Sequence, residues 1–272
     1  MLKEAFIEAM VAEDVGRGDL FARISESREV RAYIVAKSDG VFAGREYIEV
    51  LAQMYDLALT WDIRDGESFV KGKKLLFVAG DSKTILSLER SILDIALHAS
   101  SIATLTAQYV GAIEDTGVKL LDTRKTRPLL RTFEKYAVRC GGGINHRMGL
   151  DDCLMLKDTH LKTIDDLDAF MAEVRRKIPF TSKVEIECED MEMVKRAMAA
   201  GADIVMCDNM SLEQMREAVA FRDAHYPYIL LEASGNVTLE TIREIADTGV
   251  DAISSGSIIH QANWIDLSMK VE

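Results

Sequence analysis

The chain has 272 residues, and its 45 acidic residues outnumber its 33 lysines and arginines, giving a formal net charge of −12. With 48% apolar residues, a chain of this size can bury a substantial core as one large or two smaller α/β domains. The acidic balance excludes a nucleic acid or an anionic membrane surface as the main partner, because phosphate binding along a backbone needs a basic surface. Net charge is a sum, however, and it leaves room for a local basic pocket.

Neither the cysteines nor the N-terminus indicates export or membrane insertion. The four cysteines form no CxxC pair, which predicts reduced thiols in a cytoplasmic protein: Cys140, Cys153, Cys188 and Cys207. Residues 1–6 include an acidic side chain and begin no apolar signal segment. The longest stretch without charged residues, 95–113, holds too many polar side chains to span a bilayer and is predicted to be the middle of a long buried helix.

The first hundred residues predict an α+β module without an evident catalytic cluster. Apolar residues at helical spacing predict a helix over 2–13, and alternation predicts a strand over 29–36 with one buried face. A second helix is expected over 45–55, with strands around 57–63 and 74–79.

From Val118 onward the pattern is a repeated strand and helix. Six short apolar runs end in polar residues: Val118–Asp122, Cys153–Lys157, Val184–Glu187, Ile204–Asp208, Tyr228–Glu232 and Ala252–Ser254. Apolar runs without alternation predict strands covered on both faces, hence a parallel sheet. No GxGxxG motif follows any run, which favours a complete or incomplete (β/α) barrel over a doubly wound sheet. In a barrel the active site lies at the carboxyl ends of the strands.

The densest basic segment, residues 119–150, carries a local charge of +6, since eight cations face two carboxylates. Arg124 and Lys125 follow the first strand, and Arg147 follows three glycines, so their charges are predicted to meet at the strand ends and to bind a small polyanion. Three further cations spaced by four residues predict a solvated helix face: Arg131, Lys135 and Arg139.

Two loops after the last strands fit a phosphate group. Ser234-Gly235-Asn236 and Ser255-Gly256-Ser257 each place a glycine between small polar residues ahead of a helix, where backbone N–H groups can cradle phosphate. Glu187 and Asp208, at neighbouring strand ends, could hold Mg²⁺ together with substrate oxygens. Spacing alone does not decide which of Glu185, Glu187 and Glu189 points inward.

The motifs follow one another in a specific order: DTRKT (122–126), GGGINHR (141–147), KDTH (157–160), VEIE (184–187), DNM (208–210) and LEASG (231–235), with EDVGRGDL (13–20) and Glu89-Arg90 upstream. Over nearly the whole chain this order resembles the quinolinate phosphoribosyltransferase family. The resemblance implies an α/β fold with an N-terminal α/β sandwich domain over 1–103 and an incomplete (β/α) barrel over 104–261. A C-terminal tail, about 262–272, would pack back on the first domain.

The resemblance also implies roles for named residues. Arg90 should reach the neighbouring site of a homodimer, or of a hexamer of dimers. Quinolinate and pyrophosphate should be surrounded by Thr123, Arg124, Lys125, His146, Arg147 and Lys157. Glu187 and Asp208 should contact the ribose hydroxyls and Mg²⁺ of phosphoribosyl pyrophosphate, and Lys125, Lys157, Glu187 and Asp208 are the expected catalytic residues. The 5′-phosphate of phosphoribosyl pyrophosphate should bind Ser234, Gly235, Asn236, Ser255, Gly256 and Ser257.

The implied reaction transfers phosphoribosyl to quinolinate with loss of CO₂. The chain departs from the family pattern at Leu129 or Leu130, at Thr159 and at Asn236, where the family has glycine, asparagine and glycine. Three alternatives remain: a related phosphoribosyltransferase that acts on another base, a Schiff-base aldolase that uses Lys157, and a pyridine-carboxylate binding protein without catalysis.

Overall fold

The computed structural model describes residues 2–272. Its first elements, in chain order, are α1 (Lys3–Val15), α2 (Leu20–Ile24), β1 (Glu29–Ala36), β2 (Gly40–Val41), α3 (Arg45–Met54), β3 (Ala58–Trp61), β4 (Ser68–Phe69), β5 (Lys74–Asp81) and α4 (Ser82–Ile113). They are followed by β6 (Lys119–Leu121), α5 (Arg131–Cys140), β7 (Leu154–Leu156), α6 (Asp158–Leu161), α7 (Leu167–Lys177), β8 (Val184–Cys188), α8 (Met191–Ala199), β9 (Ile204–Asp208), α9 (Leu212–His225), β10 (Leu230–Ser234), α10 (Ile242–Ala246), β11 (Ala252–Ser254), α11 (Ser257–His260) and β12 (Leu267–Val271).

The first compact unit contains the residues up to Ala107, then Arg127–Gly142 and Gln261–Glu272. Its sheet is antiparallel in the order β12-β1-β5-β3, and the C-terminal strand β12 pairs with β1. The alternation predicted for 29–36 is confirmed, because Ala32, Ile34 and Ala36 of β1 are fully buried. The chain therefore enters this unit three times, and α5 lies in it together with the tail.

The long helix predicted around 95–113 is confirmed as part of α4. The solvated helix face predicted on α5 is wrong: Lys135 is fully buried and Arg131 half-buried, and Arg139 alone of the three is exposed. Residues 133–138 of α5 are all buried, so the helix is enclosed on several sides and its charge spacing does not mark a solvent face. Within residues 2–272, no helix combines the length and apolar character needed to cross a lipid bilayer.

The second compact unit, Gln108–Thr126 with Gly143–His260, is built on six parallel strands in the order β6-β11-β10-β9-β8-β7. Strands β7 to β11 lie side by side in sequence order, and β6 pairs with β11. The sheet is therefore an incomplete barrel with its gap between β6 and β7. Ile144 enters this gap: its N–H donates to Leu120 and its carbonyl accepts from Asp122. The bridge carries residues 144–147 alongside the end of β6.

All six apolar runs form strands; two keep the predicted bounds and the others shift by one or two residues. The largest shift is at β10, which runs from Leu230 to Ser234 instead of from Tyr228 to Glu232. Glu232 was predicted at a strand end, and that is wrong: it lies within β10, opposite Met206 and Ala252, and is 2% exposed. A polar residue ends an apolar run in the sequence, but a barrel interior can also accommodate polar groups that have partners.

Candidate active site

A cavity of about 320 Å³ opens at the carboxyl ends of the barrel strands. It is lined by Thr123, Arg124, Lys125, His146, Arg147, Met155, Lys157, Glu187, Met206, Asp208, Asn209, Glu232, Ser234, Gly235, Asn236 and Ser254. Eleven of these residues are site residues predicted from the sequence. Most of the cavity lining therefore comes from the strand ends, which converge in a barrel.

Four predicted site residues lie elsewhere. Arg90 is on α4 in the first compact unit, where it is exposed and forms an ion pair with Asp94 at 3.4 Å. Ser255 and Ser257 are buried, and their hydroxyls hydrogen-bond to each other at 2.5 Å. Gly256 lies next to the cavity wall, because a Cβ there would be 3.1 Å from Lys125 Cδ.

Five lining residues were missed: Met155, Met206, Asn209, Glu232 and Ser254. Neither methionine carries a chemical signal in the sequence, and Glu232 was assigned to the wrong depth in its strand. Asn209 had a signal, since it directly follows Asp208 at a strand end. In the structure its N–H donates to Ser234 and its side chain accepts from Asn236 Nδ2 at 3.0 Å, so it ties the end of β9 to the loop after β10.

The cationic side of the cavity is formed by Arg124 and Lys125, which are exposed, and by Arg147, which is 9% exposed. The Arg147 guanidinium is fixed by donating to the Cys153 carbonyl at 2.9 Å and to Met155 Sδ at 3.5 Å. Burial and the like charge of Arg124 lower the pKa of Arg147. Two guanidinium groups that repel each other at one opening favour the entry of an anion.

Lys157 and Glu187 line the cavity side by side and form an ion pair between Nζ and Oε2. Lys157 follows β7, and Glu187 lies near the end of β8 with a side chain 10% exposed. On the next strand Asp208 Oδ2 accepts from Asn209 Nδ2 at 2.9 Å. Glu187 is thus the inward-facing cavity residue of the three glutamates in question, with Glu185 deeper in the barrel and Glu189 exposed beyond the strand end.

Mg²⁺ fits the oxygen donors of Glu187 and Asp208, but these two carboxylates do not enclose an ion. Among residues 2–272, the single group of three His, Cys, Asp or Glu side chains close enough to share a metal is His146, Glu185 and Glu232. Mg²⁺ commonly takes one or two carboxylates and completes its shell with water and substrate oxygens. The donor set therefore suits an ion that arrives with a phosphorylated substrate.

Beneath the cations lies a buried layer of carboxylates around His146. Its Nε2 is 3.2 Å from Glu185 Oε2 and 3.2 Å from Glu232 Oε2, while its backbone N–H donates to Asp122 at 2.9 Å. Glu185 and Glu232 lie on β8 and β10, and Asp122 directly follows β6. These are alternate strands of the sheet, and alternate strands supply one layer of a barrel interior.

The His146 ring and Glu185 both have shifted pKa values. Burial lowers the pKa of His146, but hydrogen bonds to Glu185 and Glu232 outweigh burial and raise the pKa to about 10. Burial raises the pKa of Glu185. Nδ1 of His146 accepts the N–H of Arg147 at 2.7 Å, and Nε2 is the ring nitrogen that faces the two carboxylates.

The loop after β10 requires a glycine. Gly235 has φ +93°, and a Cβ there would be 2.2 Å from Asn209 Oδ1 and 2.5 Å from Asn209 Cγ. Asn236 has φ +49°, a left-handed conformation that asparagine adopts more readily than most residues. The departure from the family pattern at Asn236 is thus compatible with the backbone of the loop.

Comparisons with known proteins identify the family. Residues 19–100 match the model of the N-terminal domain of quinolinate phosphoribosyl transferase, and residues 102–270 match that of its C-terminal domain. A protein of Synechocystis sp. described as a probable nicotinate-nucleotide pyrophosphorylase (carboxylating) is 38% identical over 271 residues, covering 98% of this chain and 92% of that protein. A protein of Methanothermobacter thermautotrophicus with the same description is 39% identical over 272 residues, with 97% of each chain covered.

A solved structure gives the same result for the fold. The crystal structure of NadC from Streptococcus pyogenes superposes with a TM-score of 0.93 at 36% identity, over 99% of this chain and 96% of that one. The two family models, the curated relatives and this structure agree across both compact units. The chain belongs to the quinolinate phosphoribosyltransferase family.

Proposed function

We propose that the protein transfers the phosphoribosyl group of 5-phosphoribosyl 1-pyrophosphate to quinolinate, with decarboxylation, in NAD biosynthesis. The products are nicotinate mononucleotide, pyrophosphate and CO₂. One observation carries this proposal beyond family membership: a cavity of about 320 Å³ brings four cationic side chains together with Glu187 and Asp208. The four cations are Arg124, Lys125, Arg147 and Lys157.

Charge complementarity explains why this cavity suits quinolinate. The acid carries two adjacent carboxylates, and the planar guanidinium of Arg147 can take one of them through two parallel hydrogen bonds. Exposed Arg124 and Lys125 lie where a polyphosphate would enter. Lys157, paired with Glu187, can shift its ammonium toward an incoming anion at small cost because its side chain is 42% exposed.

The first chemical step breaks the bond between the ribose anomeric carbon and pyrophosphate. Positive charge then develops on the ribose, and the carboxylates of Glu187 and Asp208 stabilise it if the sugar lies between β8 and β9. Bound Mg²⁺ would offset the charge of the leaving pyrophosphate, held by these carboxylates together with substrate oxygens. Lys125 and Lys157 would contact the leaving group and the acid.

The second step forms the bond between the pyridine nitrogen and the anomeric carbon. The ring becomes cationic and accepts the electron pair released when the adjacent carboxylate leaves as CO₂. A proton then takes the place of the lost carboxylate. No side chain of this protein needs to form a covalent intermediate. The ion pair of Lys157 with Glu187 also disfavours a Schiff base, which needs the lone pair of that nitrogen.

The 5′-phosphate and the quaternary structure complete the proposal. The loop Ser234–Asn236 lines the cavity and supplies backbone N–H groups for phosphate. Because the hydroxyls of Ser255 and Ser257 bond to each other, that second loop would contribute through its backbone. Arg90 would complete the site of a partner subunit in a homodimer, or in a hexamer of dimers.

The deciding experiment measures CO₂ and pyrophosphate released from quinolinate with phosphoribosyl pyrophosphate and Mg²⁺, in parallel with nicotinate as the acid. Turnover of quinolinate with little reaction of nicotinate is expected. Equal turnover of nicotinate would favour a related transferase that acts on another base. Binding of quinolinate without turnover would favour a binding protein.

Two variants test the site. Arg147→Ala and Lys157→Ala are expected to lose turnover while keeping the fold, because both side chains line the cavity and neither belongs to the apolar core. Circular dichroism and gel filtration check the fold. Near wild-type turnover in either folded variant would refute the assignment of the cavity as the active site.

A further inference from the structure

We propose that Glu185 and Glu232 are positioning residues that clamp the His146 ring and, through it, hold Arg147 at the floor of the acid-binding cavity. The kinetic part of this proposal rests on the proposed function; the geometric part does not. Neither glutamate was a predicted site residue.

The His146 ring is held on both of its nitrogen-bearing edges. Nε2 lies between two carboxylate oxygens at equal distances of 3.2 Å, one from β8 and one from β10. Nδ1 accepts the N–H of the next residue, Arg147, at 2.7 Å. A ring with its two nitrogens engaged in this way transmits the position of the two strands to the backbone that follows it.

The segment that carries His146 depends on such contacts. Residues 144–147 cross the gap of the barrel, and Ile144 forms a bridge to Leu121 of β6. Below the ring, Asp122 accepts the His146 N–H and also the Asn145 side chain at 2.6 Å. The clamp by Glu185 and Glu232 therefore fixes the part of this segment that points into the barrel.

Stability alone does not account for the two glutamates. Glu185 is fully buried, and apart from the His146 ring its two oxygens have no hydrogen-bond partner in the structure. Glu232 is 2% exposed, and its Oε1 also lacks a partner. Buried carboxylate oxygens without partners destabilise a fold, and an apolar side chain of similar size would avoid this loss. A role in setting His146 and Arg147 explains why carboxylates occupy these positions.

Kinetics of Glu185→Gln and Glu232→Gln, which keep the shape of the side chain, test the proposal. Each is expected to raise KM for quinolinate on the order of 10- to 100-fold, by analogy with the loss of a partner that orients a metal-binding side chain. KM for phosphoribosyl pyrophosphate should change far less, which a general loss of structure would not produce. Glu189→Gln, which lies just beyond the end of β8 and is exposed, is the matched control and should behave like the wild type.

A double-mutant cycle tests whether the glutamates act through His146. In a His146→Asn background, Glu185→Gln should add little to the loss already present, because the ring that it holds is absent. Full additivity would overturn the proposal. So would an unchanged quinolinate KM in both folded glutamine variants.

Nitrogen NMR of histidine-labelled protein gives a readout that does not need activity. The His146 resonances, assigned with His146→Asn, should show a protonated Nε2, and should move in Glu185→Gln and Glu232→Gln but not in Glu189→Gln. Unmoved resonances in both variants would overturn the clamp, whether or not the wild type converts quinolinate. A wild type that shows the clamp but no turnover would instead refute the proposed function.

Discussion

Gly235→Ala is the sharpest test of the loop that closes the cavity. The residue has φ +93°, and an added Cβ would lie 2.2, 2.5 and 2.9 Å from Oδ1, Cγ and the backbone N of Asn209. A left-handed backbone costs a non-glycine residue about 1–2 kcal/mol, and forcing an extra carbon into a packed site costs about 1–3 kcal/mol more. We therefore expect a loss of about 2–5 kcal/mol in the free energy of unfolding.

Gly201→Ala is the matched control for backbone strain. Gly201 has φ +84° and lies after α8, but a Cβ there would meet nothing within 4 Å. Its cost should be the strain alone, about 1–2 kcal/mol. The comparison uses urea unfolding and thermal melts, in which about 2–4 °C of Tm corresponds to each kcal/mol in a protein of this size.

The two alanine variants should also differ in activity. Displacing Asn209 loosens its hydrogen bond with Asn236 in the loop proposed for phosphate, so Gly235→Ala should raise KM for phosphoribosyl pyrophosphate. Gly201→Ala should leave it unchanged. Removing the Asn209 side chain in Gly235→Ala/Asn209→Gly should recover part of the stability, since Oδ1 and Cγ make the two shortest contacts. Equal stability of Gly235→Ala and Gly201→Ala would refute the steric argument.

Three further outcomes are expected. Lys157→Met should remove turnover but lower Tm less than Gly235→Ala does. The substitution keeps the apolar stem of the side chain and breaks only an ion pair with Glu187 at a partly exposed site. Steady-state kinetics and a thermal melt of each variant measure these effects. Burial raises the pKa of Glu134, but hydrogen bonds from His98 and Arg127 outweigh burial and hold this pKa below 4.5. The ionised Glu134 therefore stabilises the fold above pH 4.5, and this stabilisation is lost as the pH falls through the lowered pKa. Glu134→Gln should therefore reduce the fall in the free energy of unfolding between pH 6 and pH 3, measured by urea unfolding at each pH. An unchanged fall would contradict a lowered pKa for Glu134. Leu129 has φ +65° and an 85% exposed side chain. Leu129→Asn should therefore raise the free energy of unfolding by about 1 kcal/mol in the same urea assay, because asparagine tolerates this conformation better. A destabilised variant would show that the leucine side chain has a packing role.

Sequence reasoning placed the strand ends well because a parallel barrel leaves few choices. Once runs such as Ile204–Asp208 are identified as buried parallel strands, their polar ends must meet at one mouth. Leu129, one of the two positions where a departure from the family's glycine is expected, takes the left-handed conformation that glycine adopts without strain. Local chemistry and topology were sufficient for these residues.

Depth within the barrel was not predictable in the same way. Glu185 and Glu187 share one face of β8, and alternation cannot distinguish the residue that lines the cavity from the one buried beneath it. Glu232 was placed two residues too far along its strand because a charged side chain normally ends an apolar run. Lys135 was assigned to solvent from charge spacing alone, although the packing of α5 encloses it. Each error concerns how far a charge lies from water, which depends on tertiary packing.

The layering of charge along the barrel determines what the site can bind. Asp122, Glu185 and Glu232 are at most 2% exposed, whereas Arg124 and Lys125 are exposed at the opening. Interactions between charges are several times stronger in the interior than at the surface, so the buried Glu185 and Glu232 can hold the His146 ring that they contact. The net charge of −12 cannot reveal this arrangement, because a sum does not record depth. A small dianion therefore meets positive charge at the mouth, while the acidic exterior still repels larger polyanions.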